Sequence, residues 1–242
     1  MRIDFIGVGF GRSGSKWLAN CLYEHPEISI PKFNLHTEIN YFPEEYETMG
    51  LKNYIKKFRN CDFEKRVGEL STLIIWNKKS AKLLKKLFPN VKIIIYKRKE
   101  EERAKSAYNV AKYYDLVDDN SLSINEIKEI NQEEYVKPFI KEFGKNGVFI
   151  FDMDNRDKQA ELNKLFKFLG VSSFTPKSID ERLNTSYSNK TGKKEPVKSK
   201  YPFIRVTINN IKPKLKANKK LYYTLKRNFH FDYLFQLVNH NL

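Results

Sequence analysis

Short apolar runs alternate with amphipathic stretches over residues 2–170 of the chain. The apolar runs are rich in β-branched and aromatic residues and are bounded by turn residues, which predicts strands near residues 3–8, 65–76, 91–96 and 146–151. The amphipathic stretches predict helices near residues 17–24, 44–60, 78–88, 100–114, 123–130, 133–143 and 158–169, and residues 28–42 predict a short strand and a loop. This alternation predicts a three-layer α/β fold with a mostly parallel central sheet.

The length and composition of the chain favour a single domain. With 242 residues, 40% of them hydrophobic and 14% aromatic, the chain can bury one sizeable core. We therefore predict one domain over residues 1–242, with its α/β core in residues 2–171. Residues 172–242 are expected to form a basic loop followed by C-terminal helices, roughly 207–239, that dock on the core as an extension.

The charge of the chain is unevenly distributed. The formal net charge is +16, from 45 Lys or Arg and 29 Asp or Glu. Residues 177–220 contain 13 Lys or Arg and 3 Asp or Glu, a net of +10. Such a segment is suited to a polyanion, a phosphate-rich ligand or an acidic membrane surface, although a solvated basic face would have the same composition.

Two features bear on the compartment in which the protein works. The chain has two cysteines, Cys21 and Cys61, which are too few to stabilise a protein of this size by disulfide bonds. This low cysteine content favours a reducing environment. No apolar run approaches the length of about 18 residues that a transmembrane helix needs, and no signal-like segment is recognisable. We therefore expect a cytoplasmic protein without a transmembrane segment.

A glycine-rich turn follows the first predicted strand. Gly9, Gly11 and Gly14 interrupt the chain just before the first predicted helix. A turn of this kind directs unpaired backbone N–H groups and the positive end of the helix dipole at one spot. Arg12 and Lys16 add full positive charges there. The turn is therefore predicted to bind an anion, most simply a phosphate, in the manner of a P-loop.

Two general phosphate-binding motifs match this turn incompletely. Residues 9–14 satisfy G-x-G-x-x-G, but residues 28–35 lack the acidic partner that a dinucleotide site carries about 20 residues on. The turn also has the glycine spacing of a nucleoside-triphosphate P-loop. Ser15, however, stands where that motif has its lysine, and Lys16 comes one residue late.

A third motif fits the turn better. Residues 11–18, Gly-Arg-Ser-Gly-Ser-Lys-Trp-Leu, resemble the 5′-phosphosulfate loop of sulfotransferases that use 3′-phosphoadenosine 5′-phosphosulfate (PAPS), in which arginine replaces the usual lysine in many bacterial relatives. Lys16 departs from the threonine that this family carries. The resemblance implies that PAPS is the donor, that no metal is required, and that the donor contacts Gly11, Arg12, Ser13, Gly14, Ser15, Lys16 and Trp17.

A second match to the family lies after the strand at residues 91–96. Arg98 stands at the carboxyl end of this strand, and Ser106 follows eight residues later on the next helix. Sulfotransferases hold the 3′-phosphate of the donor with an arginine and a serine at this spacing. We also include Lys193 and Lys194 of the basic segment among the predicted donor-binding residues.

The candidate catalytic groups lie in residues 36–42. Glu38-Ile-Asn-Tyr-Phe42 is similar to an element of heparan-sulfate-type sulfotransferases in which the acid is the general base. His36 is the competing candidate, because cytosolic relatives use a histidine and an imidazole titrates in the useful range. The simpler interpretation is a surface carboxylate beside two aromatic core residues. We favour Glu38 as the base and expect Arg12 to stabilise the leaving group.

One further element has a partial family counterpart. Glu69 and Ser71 are similar to the first and third residues of the family's glutamate–lysine–threonine element. In this chain Leu70 stands where that element has its lysine.

Taken together, the sequence predicts a PAPS-dependent sulfotransferase that acts on a hydroxyl or amine of a small molecule or glycan, most simply a carbohydrate. Nucleic acid is not an expected partner. Two other classes of protein stay open. One is a nucleic-acid or polyanion binder that uses residues 177–220, and the other is a P-loop-like nucleotide kinase.

Overall fold

The computed structural model describes residues 2–31, 38–113 and 131–181, with side chains up to residue 107 in the second of these ranges. Residues 1–108 and 123–183 belong to one compact unit, and the central sheet lies in the described part of this unit. The predicted helix at 123–130 and the predicted C-terminal helices lie outside the described residues. The single-domain organisation over residues 1–242 stays a prediction.

Five parallel strands form one sheet in the order β2-β3-β1-β4-β5. The strands are β1 Phe5–Val8, β2 Ile28–Ser29, β3 Arg66–Ser71, β4 Lys92–Lys97 and β5 Val148–Asp152. The central strand β1 pairs Ile6 with Glu69 on one side and with Ile93 on the other. Beyond β2, Glu38 forms an isolated parallel bridge with Leu70, so the chain returns to the side of β3 at this point.

In the described residues, six α-helices connect and flank these strands. They are α1 Ser15–Glu24, α2 Glu44–Ile55, α3 Ser80–Leu87, α4 Glu100–Tyr113, α5 Gln132–Phe143 and α6 Lys158–Leu169. The helix predicted over residues 44–60 is shorter and interrupted. Gly50 has φ 69° and ψ 172° inside α2, and a 3₁₀ turn at Lys56–Phe58 follows the helix. A glycine accepts this left-handed φ without the steric cost that a side chain would add.

The strand side chains alternate between two hydrophobic layers. Ile6 and Ile93 face a core that also contains apolar residues of α2, α3 and α5. Phe5 and Ile94 face a second core built with α1 and α6. Because both faces of the sheet are covered, its strands consist of nearly continuous apolar runs. The predicted three-layer α/β fold is confirmed, and the described sheet is entirely parallel.

The connections of the sheet reverse direction between β1 and β4, the position at which open α/β sheets have a crevice. From β1 the chain passes through α1 to β2 on one side, whereas from β4 it passes to β5 on the other side. Ligands of open α/β sheets bind outside the carboxyl ends of the strands at such a reversal. The glycine turn after β1 and the residues after β4 both lie at this edge.

Within the described residues, no helix combines the length and apolar character that crossing a bilayer requires.

Candidate active site

The backbone of the glycine turn is shaped by close contacts with two other elements. A Cβ atom on Gly9 would lie 1.9 Å from the ring of Tyr96 on β4, so the chain can cross this ring only as glycine. Gly14 has φ 73° and precedes α1, and a Cβ atom there would lie 2.2 Å from Met153. Arg12 also has a positive φ, 68°, which is uncommon for a residue with a side chain. The turn therefore holds an uncommon backbone conformation at two positions before α1 begins.

The first turn of α1 suits a negatively charged ligand. It begins at Ser15, after a glycine that has no side chain to cap the helix, and it contains no acidic residue. Its backbone N–H groups and the helix dipole therefore present partial positive charge at this edge of the sheet. Lys16 is exposed on the same turn.

Arg12 and Ser106 are brought together from elements 94 residues apart in the sequence. The Arg12 Nε and Nη2 atoms lie 3.1 and 3.0 Å from Ser106 Oγ, and both can donate to it. The family resemblance assigned Arg12 to the 5′ end of the donor and Ser106 to its 3′-phosphate. The structure thus joins the two predicted phosphate-binding regions through one guanidinium group.

Arg98 lies at the end of β4 and faces two carboxylates. Its Nη2 atom is 3.2 Å from Glu102 Oε2, and its Nε atom is 3.8 Å from Asp154 Oδ1. The carbonyl of Arg98 accepts a hydrogen bond of 2.8 Å from Gln132 of α5, which fixes the backbone at this point. The side chain of Arg98 is 31% exposed, so an anion from solvent can compete with the two carboxylates.

Glu38 is held directly beside the phosphate-binding turn. Its Oε1 atom accepts a hydrogen bond of 2.7 Å from Ser15 Oγ, on the first residue of α1. Its Oε2 atom accepts bonds of 2.6 Å from Thr72 Oγ1 and 3.3 Å from Asn40 Nδ2. The predicted base and the predicted donor loop are therefore in contact.

A buried network lies behind Glu38. Asn40 has φ 47°, and its Oδ1 atom accepts the backbone N–H groups of Thr72 and Leu73 at 2.9 and 3.0 Å. The backbone N–H of Asn40 donates to Ser71 Oγ at 2.8 Å, and Ser71 Oγ donates to Glu69 Oε2 at 2.6 Å. Burial raises the pKa of Glu69 to about 7, although the hydrogen bond from Ser71 acts in the opposite direction.

Three residues of the predicted donor loop, Ser13, Ser15 and Trp17, are buried. The Ser13 side chain is inaccessible to solvent, and among the described residues its hydroxyl has no hydrogen-bond partner. Trp17 is 7% exposed, packs against Phe151, and donates from Nε1 to the carbonyls of Ser178 and Ile179. The structure thus places this indole in the core under α1, although the sequence assigned it to the donor.

Of the remaining predicted site residues, one lies in the glycine turn and three lie outside the residues that the structure describes. Gly11 lies in the turn as expected. His36, Lys193 and Lys194 lie outside the described residues, as does most of the basic segment 177–220. The competition between Glu38 and His36 as the base therefore stays a matter of prediction.

Sequence reasoning missed two residues that contact Glu38. Thr72 follows β3, and Asn40 lies within the Glu38–Phe42 segment but was assigned no role. A signal for Thr72 was present, because it directly follows the Glu69–Ser71 element that was compared with the family. Tyr41 and Phe42 are fully buried in the core, as the simpler interpretation of this segment proposed.

No group of three or more metal-ligating side chains occurs in residues 2–31, 38–113 and 131–181.

Two solved structures share this arrangement of elements. A sulfotransferase from Alicyclobacillus acidocaldarius is 25% identical in sequence, and the match covers 74% of this chain and 85% of that one with a TM-score of 0.60. The sulfotransferase domain from the curacin biosynthetic pathway shares the fold at 16% identity, with 74% and 77% of the two chains covered and a TM-score of 0.53. No protein-family model matches the chain, and no curated protein sequence is similar to it.

The fold is therefore the one that these sulfotransferases have, with the glycine turn and α1 at the carboxyl edge of a parallel sheet. The chain contains a sulfotransferase-type domain, and the resemblance inferred from its sequence is confirmed.

Proposed function

We propose that the protein is a sulfotransferase that moves a sulfuryl group from PAPS to a hydroxyl or amine of a small-molecule or glycan acceptor. The observation that carries this proposal is the 2.7 Å hydrogen bond between Ser15 Oγ and Glu38 Oε1. It places a carboxylate at the N-terminus of the helix that follows the phosphate-binding turn. A base beside an anion site is the arrangement that group transfer from a phosphate-linked donor requires.

The residues of the turn suit the 5′ end of such a donor. A glycine turn, the N-terminus of α1 and the guanidinium of Arg12 together favour a doubly charged anion. The buried hydroxyl of Ser13, which has no partner among the described residues, adds a polar group to the same turn.

The residues after β4 suit a second phosphate. Arg98 is partly exposed and lies eight residues before Ser106, which in turn contacts Arg12. A nucleotide with phosphates at both its 5′ and 3′ positions would satisfy both regions, which favours PAPS over ATP or NAD.

Transfer in this site needs a proton acceptor and a stabilised leaving group. Glu38 accepts the proton of the acceptor hydroxyl or amine while the new S–O or S–N bond forms. The bond between sulfur and the bridging oxygen of the donor breaks, and its electron pair stays on the 5′-phosphate of adenosine 3′,5′-bisphosphate. Arg12 and the N–H groups of α1 stabilise this charge.

The acceptor is assigned to a chemical class by the family resemblance. Heparan-sulfate-type sulfotransferases, whose acid element Glu38 matches, modify carbohydrates, and we propose a carbohydrate hydroxyl or amine here. The cytoplasmic location expected from the cysteine content also stays a prediction.

A labelling assay tests the proposed activity. The protein is incubated with PAPS labelled with ³⁵S and a panel of mono- and oligosaccharides and simple amines. We expect a labelled product with the wild-type protein and its loss with Glu38→Gln. Glu64→Gln is the matched control, because Glu64 is exposed near the opposite edge of the sheet. Equal labelling by the Glu38→Gln protein would contradict the assigned role.

Two outcomes of parallel assays would favour the rival classes of protein. Turnover of ATP that depends on magnesium would indicate a nucleotide kinase. Binding of nucleic acid or heparin that weakens steeply with salt, without any binding of adenosine 3′,5′-bisphosphate, would indicate a polyanion binder.

A further inference from the structure

Glu69 is a carboxyl group that is fully buried in the fold, which is unusual for an ionisable residue. It lies on β3, has no exposed surface, and accepts hydrogen bonds from Ser71 Oγ at 2.6 Å and Tyr54 OH at 3.2 Å. Burying an ionisable group is costly even when it is hydrogen-bonded. Glu69 pairs with Ile6 of β1, which faces the same hydrophobic layer, so a hydrophobic residue at this position would suit the core.

A chain of hydrogen bonds leads from Glu69 to Glu38. Ser71 Oγ has a single hydrogen, which it donates to Glu69 Oε2, so this hydroxyl can only accept from the backbone N–H of Asn40. Asn40 Nδ2 and Thr72 Oγ1 both reach Glu38 Oε2, at 3.3 and 2.6 Å. The Glu69 carboxyl group at the buried end thereby sets the donor-to-acceptor direction of the hydrogen bonds in this chain.

The backbone of Asn40 shows that this chain holds the segment in place. Its φ of 47° is in the left-handed region, which asparagine adopts more readily than most other residues with a side chain but less readily than glycine. The Ser71 hydroxyl and the N–H groups of Thr72 and Leu73 compensate by binding its backbone and side chain. The side-chain amide is thereby aimed at Glu38.

We propose that Glu69 is a positioning residue, which holds the base Glu38 against α1 through Ser71 and Asn40. This inference rests on the proposed function. It adds a residue that touches neither donor nor acceptor but fixes the geometry of the group that accepts the proton.

Several titratable groups of the described residues surround Glu69. Tyr54 and Lys57 approach it from α2 and the 3₁₀ turn that follows, and Glu38 and Tyr96 also interact with it. Burial has the largest effect and favours the protonated form of Glu69. Lys57 favours the ionised form, whereas the charge of Glu38 opposes it.

Two variants separate positioning from mere stability. Glu69→Gln keeps the size and one hydrogen-bonding oxygen but removes the charge, and Ser71→Ala removes the link between Glu69 and Asn40. Glu161→Gln is the matched control, since Glu161 is a buried carboxyl group on α6 that bonds to Asp152 and Asn155. Donor affinity is measured by calorimetry with adenosine 3′,5′-bisphosphate, and turnover by the labelling assay across pH 5–9.

We expect both variants to keep donor affinity within about twofold and to lose roughly tenfold to a hundredfold in kcat, because a displaced base fails at the chemical step. The Glu161→Gln protein should show no loss of kcat.

Unchanged kcat in both variants would overturn the inference. A parallel loss of melting temperature, donor affinity and turnover would also overturn it, since that result marks a structural role alone. If Glu69→Gln does not fold, Ser71→Ala decides by the same two criteria.

A measurement that needs no activity keeps this inference separate from the proposed function. The carboxyl carbons of ¹³C-glutamate-labelled protein are observed by NMR at one fixed pH, with Glu38→Gln and Glu69→Gln used to assign the two signals. We expect the chemical shift of the Glu38 signal to change in Ser71→Ala, because the hydrogen bond from Asn40 is displaced, and to stay unchanged in Glu161→Gln. An unchanged Glu38 signal in Ser71→Ala would overturn the positioning role even if labelling succeeds.

Discussion

The two sides of the candidate site are built in different ways. On the donor side, Arg12 bonds to Ser106 and Arg98 faces Glu102 and Asp154 through partly exposed contacts. On the acceptor side, Glu38 is the outermost member of a network whose other members are mostly buried. The donor side therefore has contacts that an incoming phosphate can replace, whereas the acceptor side has a geometry that is set before any ligand binds.

Donor affinity and turnover therefore depend on different sides of the site. A nucleotide phosphate must displace the carboxylates now facing Arg98, so donor affinity depends on the balance between competing anions. Glu38 needs no such exchange, since Ser15, Thr72 and Asn40 already orient it. Substitutions on the two sides should consequently separate binding from turnover.

The largest expected effect is that of Glu38→Gln. The variant keeps size and hydrogen bonding but cannot accept the proton, so we expect turnover to fall by roughly 10²–10⁴-fold with donor affinity unchanged. The measurement is kcat in the labelling assay, together with calorimetry for adenosine 3′,5′-bisphosphate. His36→Asn should cost far less. Normal turnover by Glu38→Gln and an inactive His36→Asn protein would assign the base to the histidine.

Arg12→Ala should affect turnover more than donor binding. The positive charge is needed most when the bridging oxygen departs, and removing one such donor costs about 10²–10³-fold in kcat. Arg12→Lys should retain appreciable activity because it keeps the charge. Steady-state kinetics and calorimetry on the same preparations separate the two effects, and an inert lysine variant that binds normally would count against this role.

Arg98→Ala and Ser106→Ala should weaken only nucleotides that carry a 3′-phosphate. A charge-assisted hydrogen bond contributes about 1.5–3 kcal/mol, so Arg98→Ala should cost about tenfold or more in affinity for adenosine 3′,5′-bisphosphate. Adenosine 5′-phosphosulfate, which lacks that phosphate, is the comparison ligand. Arg66→Ala, at the amino end of β3, is the control variant. Equal losses for both nucleotides would refute the assignment.

The smallest expected effect is on stability. The pKa of Glu69 is raised to about 7 from 4.5, so the folded protein binds its proton more tightly than the unfolded chain does. The stabilisation that this gives is complete below pH 4.5 and is lost as the pH rises from about 4.5 through 7. Between about pH 5 and 8 the wild-type melting temperature should therefore fall by a few degrees more than that of Glu69→Gln. An identical fall in both proteins would show that Glu69 does not titrate in this range.

The fold was largely predictable because its signals are local. The strand at Lys92–Lys97 is a run of β-branched residues between turn residues, and its burial follows directly from that composition. The break in α2 was not predicted, since a single glycine within a polar stretch has the same local pattern whether the helix continues or bends. Only the φ of Gly50 distinguishes the two cases.

The site was predictable in part, for a different reason. The eight-residue spacing identified Arg98 and Ser106, but nothing local shows that Ser106 bonds to Arg12 or that Arg98 faces Asp154. Asn40 and Thr72 become recognisable only when the Glu38 segment lies beside β3. Such contacts depend on the register between segments that are distant in the sequence, which hydrophobic periodicity does not encode.

We propose that the crevice at the carboxyl edge of the sheet binds a 3′-phosphorylated adenosine nucleotide. Calorimetric titration of the full chain with adenosine 3′,5′-bisphosphate, ATP and NAD is the sharpest test of this binding. We predict micromolar binding of the bisphosphate and at least about tenfold weaker binding of ATP and NAD, because neither of these places a phosphate beside Arg98. Equal or tighter binding of ATP or NAD, or no binding of the bisphosphate, would contradict the claim.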